Sequence, residues 1–469
     1  MTEFVCDVAV IGAGTAGLAA ERTARRAGAK TLLIDDGFTG STCATVGCMP
    51  SKLLITAAAA AHGVRTAGTF GIDVAPPRVD GVAVLARVRT QRDAFVSSML
   101  TSIEKLPEEI KVNARATFSG ADTLALSNGD TVRAKAIVIA TGSHPQVPEP
   151  FAALGDLVLT NETIFDLADL PRSLAVIGAG ALGIELAQAM ARLGVEVAVF
   201  DKGDTLAGLK DAMVADALHT ILARDMDVHL GVDTTPSREG EQAVLRWTGA
   251  SAGMRAFDKV LVAAGRPPSL DGLSLDKTGL DLDDHGVPLF DRTTMQCGRS
   301  AIFLAGDADA DAPVLHEASS EGAIAGRNAA SFPDVHHSER SVAFSITFTD
   351  PPVAVVGKPS QEDSVIGVSP YDDQGRAKIM AQAEGLVRLY ASRPDGRLTG
   401  AAMVGPGMDH IGHLLAWAIG RGETATSLLD LPFYHPTLEE GLKAGLREIC
   451  HTVHAPIPDD QDEGSPAGG

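Results

Sequence analysis

Aromatic residues, cysteine and positive charge are all scarce in this chain of 469 residues. Phe 15, Trp 2 and Tyr 3 make up 4% of it, too little for aromatic-lined recognition surfaces. Five cysteines cannot staple a chain of this length, and an odd number leaves at least one unpaired. A disulfide scaffold is excluded and a reducing compartment is expected. Lys and Arg number 39 against 60 Asp and Glu, a formal charge of −21. Such a surface repels phosphate backbones and anionic headgroups, which excludes nucleic acid and membrane surfaces as default partners. No uninterrupted apolar run reaches about 18 residues, and the opening Met1–Asp7 has no basic region, so neither a spanning helix nor a secretory signal is expected. The expected location is the cytosol.

Core-forming residues and glycine are plentiful. With 45% apolar and 21% charged residues the composition is that of a folded globular protein, and the length leaves room for about three domains. Forty-nine glycines point to tight turns and close backbone approaches. The segment Val8 to Asp36 aligns without a gap on Leu174 to Lys202, 166 residues further on. Each copy reads as an apolar strand, a G-x-G-x-x-G turn, an Ala/Leu-rich helix closed by Gly28 or Gly194, and a second strand ending in an acid. In both, the glycines (Gly12, Gly14, Gly17 and Gly178, Gly180, Gly183) allow a sharp turn, close approach of a pyrophosphate, and tight helix–strand packing. Asp35 and Asp201 each lie 21 residues beyond the second glycine of their copy, where an acid accepts from ribose hydroxyls. A single such turn is weak; two complete copies imply two dinucleotides.

The remaining landmarks divide the chain. Ala136 to Ser143 and Val260 to Pro268 are apolar strands running into glycine turns on either side of the second copy. The second dinucleotide domain is therefore expected to be inserted in the first: residues 1–148 and 268–337 for one, 149–267 for the other. Residues 338–455 are expected to form a third, α+β domain, and 456–469 a disordered tail. The expected fold class is α/β, two Rossmann-like domains followed by the α+β one.

Cys43 and Cys48 precede a helical run from Leu53 to Ala61, and Pro50 suits a helix start, whose N-terminus stabilises a thiolate. Two thiols so placed can cycle between dithiol and disulfide, although by spacing alone a pair of buried free thiols is the more expected reading. Zinc finds too few ligands here, and no metal is expected. Cys6, Cys297 and Cys450 read as structural.

The cysteine stretch, the two glycine-rich copies, ATGS, AAGRP, AGD, TDPPVAVVG and HPTLEE occur in order from about residue 5 to 450. Together they resemble the class I flavin-dependent pyridine nucleotide–disulfide oxidoreductases, dihydrolipoamide dehydrogenases in particular. The resemblance implies FAD on the first copy, with Thr141, Gly142, Gly306 and Asp307 contributing. It implies NAD on the second, with Gly265 and Arg266, and a homodimer built on the third domain. Cys43 becomes the thiol that meets substrate and Cys48 the one that faces the flavin. His435 becomes the acid/base, oriented by Glu440 and supplied across the dimer; Lys52 and Glu185 become an ion pair beside the flavin. An imidazole with a reference pKa of about 6.5 suits proton traffic between thiols.

Four positions depart from the commonest pattern: Asp35 for Glu, Ser41 for Gly, Phe433-Tyr434 for a His-x pair, and His410 where an acid is frequent. Asp201 favours NAD over NADP, because it repels a 2′-phosphate and Lys202 alone makes no arginine clamp. Three functions are weighed: NAD-dependent oxidation of dihydrolipoyl groups on a partner protein, reduction of a glutathione- or mycothiol-type disulfide, and a flavoprotein kept as an assembly subunit. Mercuric reduction is disfavoured, since Cys450 lacks a vicinal partner.

Overall fold

The computed structural model describes residues 2–360 and 362–459. Its first sheet places Lys111–Asn113, Thr31–Asp35, Glu3–Ile11 and Thr131–Ile139 side by side and parallel, extended by an antiparallel hairpin of Ala116–Gly120 and Thr123–Leu126. The strands read as continuous apolar runs because both faces are covered. Val8, Val10 and Val138 enter the core on one face; Ala9, Ile11 and Ile139 enter the core on the other. The helix Thr15–Arg26 lies on the first of these faces against Leu315–Ser331. A Cβ at Gly322 would lie 2.1 Å from the carbonyl oxygen of Ala16, and one at Gly326 2.2 Å from that of Ala20, so the two backbones touch where glycine permits.

The second sheet repeats the scheme with Asp227–His229, Glu196–Phe200, Ser173–Ile177, Lys259–Val262 and Val158–Leu159, all parallel. Helix Ala181–Arg192 covers one face; an antiparallel meander, Val232–Glu239, Gln242–Gly249 and Gly253–Phe257, covers the other, packing Trp247 and Phe257 around Phe200. The chain then returns to the first sheet, where Ile302–Leu304 pairs in parallel with Ile137–Ile139. Two Rossmann-like units, one inserted in the other, are thus present as expected.

The third unit is an antiparallel sheet ordered Phe344–Thr347, Val353–Gly357, Leu398–Val404, Leu386–Ser392, Ser364–Pro370, with helices Met408–Gly420 and Leu442–Val453 sharing its core. Polar contacts fasten it to the second. Asp211, at the start of helix Ala212–Leu222, accepts from Arg388 Nε at 2.9 Å and from the Tyr390 hydroxyl. Gln188 exchanges two hydrogen bonds with the backbone of Asp350, at 2.8 and 2.9 Å, and Arg192 pairs with both Asp225 and Asp350. This is the role of the Thr349-Asp350-Pro351-Pro352 turn.

No spanning helix is expected from uninterrupted apolar runs, yet averaged over a window the stretch Thr42–Phe70 is long and apolar enough to cross a membrane. Leu53, Leu54, Ile55 and the alanines at 57–61 raise the average, and the first turns carry Cys43, Cys48 and Lys52 into a cavity. Most of the expected disordered tail lies outside the described residues.

Candidate active site

The two glycine-rich turns are built alike. Gly12 and Gly178 have φ of +102° and +109°, and a Cβ on either would sit 2.3 Å from a strand-end carbonyl oxygen, of Ala140 or Ala263. A Cβ at Gly17 or Gly183 would strike the carbonyl of its own turn at 1.8 or 2.1 Å. Gly14 and Gly180 differ in kind: no atom lies within 4 Å of the position a Cβ would take. Each also precedes a helix with no side-chain cap and no acid in its first turn. Orphan N–H donors facing open space are what a pyrophosphate requires, so both turns fit a dinucleotide. The acids match too. Asp35 accepts from the N–H of Ala13 at 2.8 Å and Asp201 from that of Ala179 at 2.5 Å, leaving lone pairs on each carboxylate for ribose hydroxyls.

The first turn opens on a cavity of about 690 Å³ whose walls include Gly14, Cys43, Cys48, Lys52, Glu185, Gly306 and Asp307. The cysteines are carried by two short steps of helix. Ser41 Oγ accepts from the N–H of Ala44 at 3.4 Å and caps Thr42–Thr45, a use for the serine that stands in place of glycine. Gly47 then lets Cys48–Thr66 start hard against it, since a Cβ there would be 2.8 Å from the carbonyl oxygen of Thr42. The thiols touch, and Cys48 is exposed toward the cavity. Cys43 keeps its proton and donates it to Cys48, which holds the Cys43 thiol far above its ordinary range, with burial adding to this. The same hydrogen bond, assisted by the Lys52 ammonium, lowers Cys48 to about 7. Of the two, Cys48 is the thiol that ionises near neutral pH.

Lys52 Nζ lies 2.7 Å from Glu185 Oε2, so the expected pair is formed across 133 residues of sequence. Glu185 is 4% exposed, and its other oxygen accepts from the N–H of Phe348 at 2.7 Å. Phe348 in turn lies under the ammonium, 4.6 Å from ring centre to Nζ. Sequence reasoning did not find Phe348; nothing in its local pattern sets it apart. Gly306, at φ +69°, donates its N–H to Glu321 at 2.9 Å, and Asp307 accepts from Ser143 Oγ at 2.8 Å. Thr141 Oγ1 is buried without a partner, and Gly142 lines the cavity beside it. Gly265 has φ +140°, and Arg266 spends its guanidinium on Ser143 and Asn161.

His435 stands apart from the thiols. Its Nδ1 is 3.1 Å from both oxygens of Glu440, which is buried and also accepts from the N–H of Thr437 at 3.0 Å. The imidazole itself is 66% exposed, and neither residue lines the thiol cavity. An apolar cleft of about 1150 Å³ lies alongside, lined by Trp417, Leu431, Phe433 and Tyr434. His410 is exposed on the helix Met408–Gly420, near Asp409.

Two family models cover most of the chain: pyridine nucleotide-disulphide oxidoreductase over residues 6–322, and the dimerisation domain of the same family over 343–445. The dihydrolipoyl dehydrogenase of Bacillus subtilis is 33% identical, covering 96% of this chain and 100% of its own length. That of Halobacterium salinarum is 31% identical, covering 96% and 97%. Among solved structures, LpdA from Mycobacterium tuberculosis superposes with a TM-score of 0.80 at 22% identity (96% and 100% covered). The HOCl-induced flavoprotein disulfide reductase RclA of Escherichia coli, as its Cu(II) complex, gives 0.81 at 21% (95% and 99% covered). The paired cradles, the thiol cavity and these matches lead to one assignment: the chain belongs to the class I pyridine nucleotide-disulphide oxidoreductases and is closely related to the dihydrolipoyl dehydrogenases.

Proposed function

We propose that the protein oxidises dihydrolipoyl groups with NAD⁺, binding FAD at the Gly12–Gly17 turn and NAD⁺ at the Gly178–Gly183 turn. The observation that carries this is the meeting, in one cavity, of a touching thiol pair, the Lys52–Glu185 ion pair and an open glycine turn. In the disulfide state a substrate thiolate attacks Cys43 Sγ, the Cys43–Cys48 bond breaks, and Cys48 leaves as the thiolate that Lys52 and the helix start favour. The second substrate thiol then attacks the mixed disulfide, releasing cyclic disulfide product and leaving both cysteines reduced. FAD held at the Gly12–Gly17 turn would supply the two-electron redox chemistry that links the reduced cysteines to NAD⁺. Each substrate thiol must lose a proton: His435, steadied by Glu440, accepts one, and the Cys43 thiolate released from the mixed disulfide accepts the other. Because His435 is exposed and away from the thiols of its own chain, the His435–Glu440 pair of one copy serves the cavity of another in a homodimer.

Asp201 supports NAD⁺ over NADP⁺: a carboxylate there repels a 2′-phosphate, and Lys202 is already engaged with Asp233 at 3.0 Å. The domain limits given above, a lipoyl-bearing partner protein and a cytosolic location belong to the same reading. A second reading, reduction of a low-molecular-weight disulfide, draws on Tyr434, 83% exposed and adjacent to His435 where it would shape the substrate entrance. Steady-state turnover of dihydrolipoamide with NAD⁺ and NADP⁺, set beside glutathione and mycothiol disulfides with NADH and NADPH, decides between them. Preference for dihydrolipoamide and NAD⁺ is expected; preference for a disulfide with NADPH would overturn the first reading.

A further inference from the structure

A chain of hydrogen bonds crosses the wall of the thiol cavity and is not used by the reaction above. Val46, in the loop between the two cysteines, accepts at its carbonyl oxygen from Asn161 Nδ2 at 3.0 Å. Asn161 Oδ1 accepts from Arg266 Nη1 at 2.9 Å. Arg266 donates onward to Ser143 twice, from Nη2 to the carbonyl oxygen at 2.9 Å and from Nε to Oγ at 3.3 Å. Ser143 Oγ passes its own proton to Asp307 Oδ2 at 2.8 Å. Five segments are joined in this way: the cysteine loop, the turn after Thr131–Ile139, the turn after Val158–Leu159, the turn after Lys259–Val262, and the Gly306–Asp307 turn.

The chemistry of each link is restrictive. Asn161 is 3% exposed and must donate with one end and accept with the other, which only an amide does at that length. Arg266 uses three nitrogens of a rigid fork on two residues, a geometry an ammonium cannot copy. Burial makes each unsatisfied group costly, so the links hold or fail together.

We propose that Asn161 and Arg266 are positioning residues that lock the Cys43–Cys48 loop to the Asp307 wall and so hold Cys43 where substrate meets it and Cys48 on the flavin side. The proposal rests on the dithiol reading of the cavity. The test uses the purified holoenzyme and two variants, Asn161→Ala and Arg266→Lys. After reduction, the protein is alkylated with iodoacetamide and modification of Cys43 and Cys48 is counted separately by peptide mass spectrometry, an assay independent of turnover. The wild type is expected to alkylate mainly at Cys43, the thiol that meets substrate; in both variants that selectivity should fall at least fivefold while FAD content is kept. Dihydrolipoamide turnover should show a kcat loss of about tenfold with KM within twofold, and NADH-to-ferricyanide transfer, which bypasses the thiols, should fall far less. Unchanged alkylation selectivity, or equal losses on both electron routes, would overturn the proposal. If Asn161→Ala does not accumulate, Arg266→Lys alone decides. A wild type inactive on dihydrolipoamide would refute the dithiol reading, whereas the alkylation ratio would still judge the positioning.

Discussion

The turns at Gly12 and Gly178 are the same object twice, and what surrounds them makes them different. Their positive φ values, forbidden Cβ positions and acid-to-backbone hydrogen bonds agree closely. The helix after the first is covered by Leu315–Ser331, and its turn opens on the thiols. The helix after the second turns Glu185 toward Lys52, and Gln188 and Arg192 toward Asp350 of the third unit. A local code therefore makes a nucleotide cradle, and the neighbours of its helix decide what that cradle is wired to.

The comparison can be broken most sharply at the thiols, which only the first cradle faces. Cys48→Ser should lower dihydrolipoamide turnover by at least about a thousandfold, the scale set by loss of a covalent nucleophile or leaving group, with bound FAD unchanged. Lipoamide turnover near the wild-type rate would remove the mechanism. Next comes the pair of cradles itself. Gly178→Ala puts a Cβ against the Ala263 carbonyl at a left-handed φ, and should raise the KM for NAD⁺ by about tenfold or more while FAD content stays constant. Gly12→Ala should do the reverse and yield FAD-poor protein; if both variants lose the same cofactor, the two cradles are not specialised as proposed.

A smaller effect is expected from the link between the cradles. Replacing Lys52 with Met removes the ammonium that helps hold Cys48 at about 7, so the pH midpoint of its alkylation should move upward by roughly one pH unit. An unmoved midpoint would place that stabilisation wholly in the contact with Cys43.

The smallest effect concerns the wall under Gly306. Asp309 is buried beside Glu321, which is fully buried, and one Asp309 oxygen lacks a partner unless the two carboxyls share a proton. Burial and then the Glu321 charge raise Asp309 from 3.8 to about 8. The unfolded chain releases this proton near 3.8 while the folded chain keeps it to about 8, so this group's contribution makes stability fall as pH rises through that window and level off above it. The backbone N–H of Asp311, donated to Asp309 at 2.9 Å, works against this rise while the Asp311 charge adds to it; Arg340, paired with Glu317 and Glu321, and Arg292, paired with Asp311, are the cations nearby. Asp309→Asn should therefore raise the Tm by a few degrees at pH 8.5 and progressively less toward pH 5. A gain independent of pH would mean that no proton is shared.

Much of this was legible in the residues. The two strand–turn–helix units, their insertion one within the other and the α+β third unit follow from periodicity and glycine spacing, whereas the five-residue interval alone left Cys43 and Cys48 readable as two buried free thiols. Ser41 looked like a mild departure and proves to be a helix cap. Phe348, Asn161 and the Asp211–Arg388–Tyr390 clamp gave no such signal, because each has an ordinary local sequence and acquires its meaning from a contact more than a hundred residues away.

Short-range sterics explain what the sequence determined alone. A positive φ, a forbidden Cβ, an uncapped helix start and an acid at a strand end act within a few residues, so two nucleotide cradles and a thiol pair are written in the chain itself. Only the tertiary structure decided that Glu185 reaches Lys52, that Arg266 turns to Asn161 and Ser143, and that His435 is exposed outside the thiol cavity of its own chain. Those outcomes depend on how three units pack, and packing energy is spread over many apolar contacts that no single motif encodes.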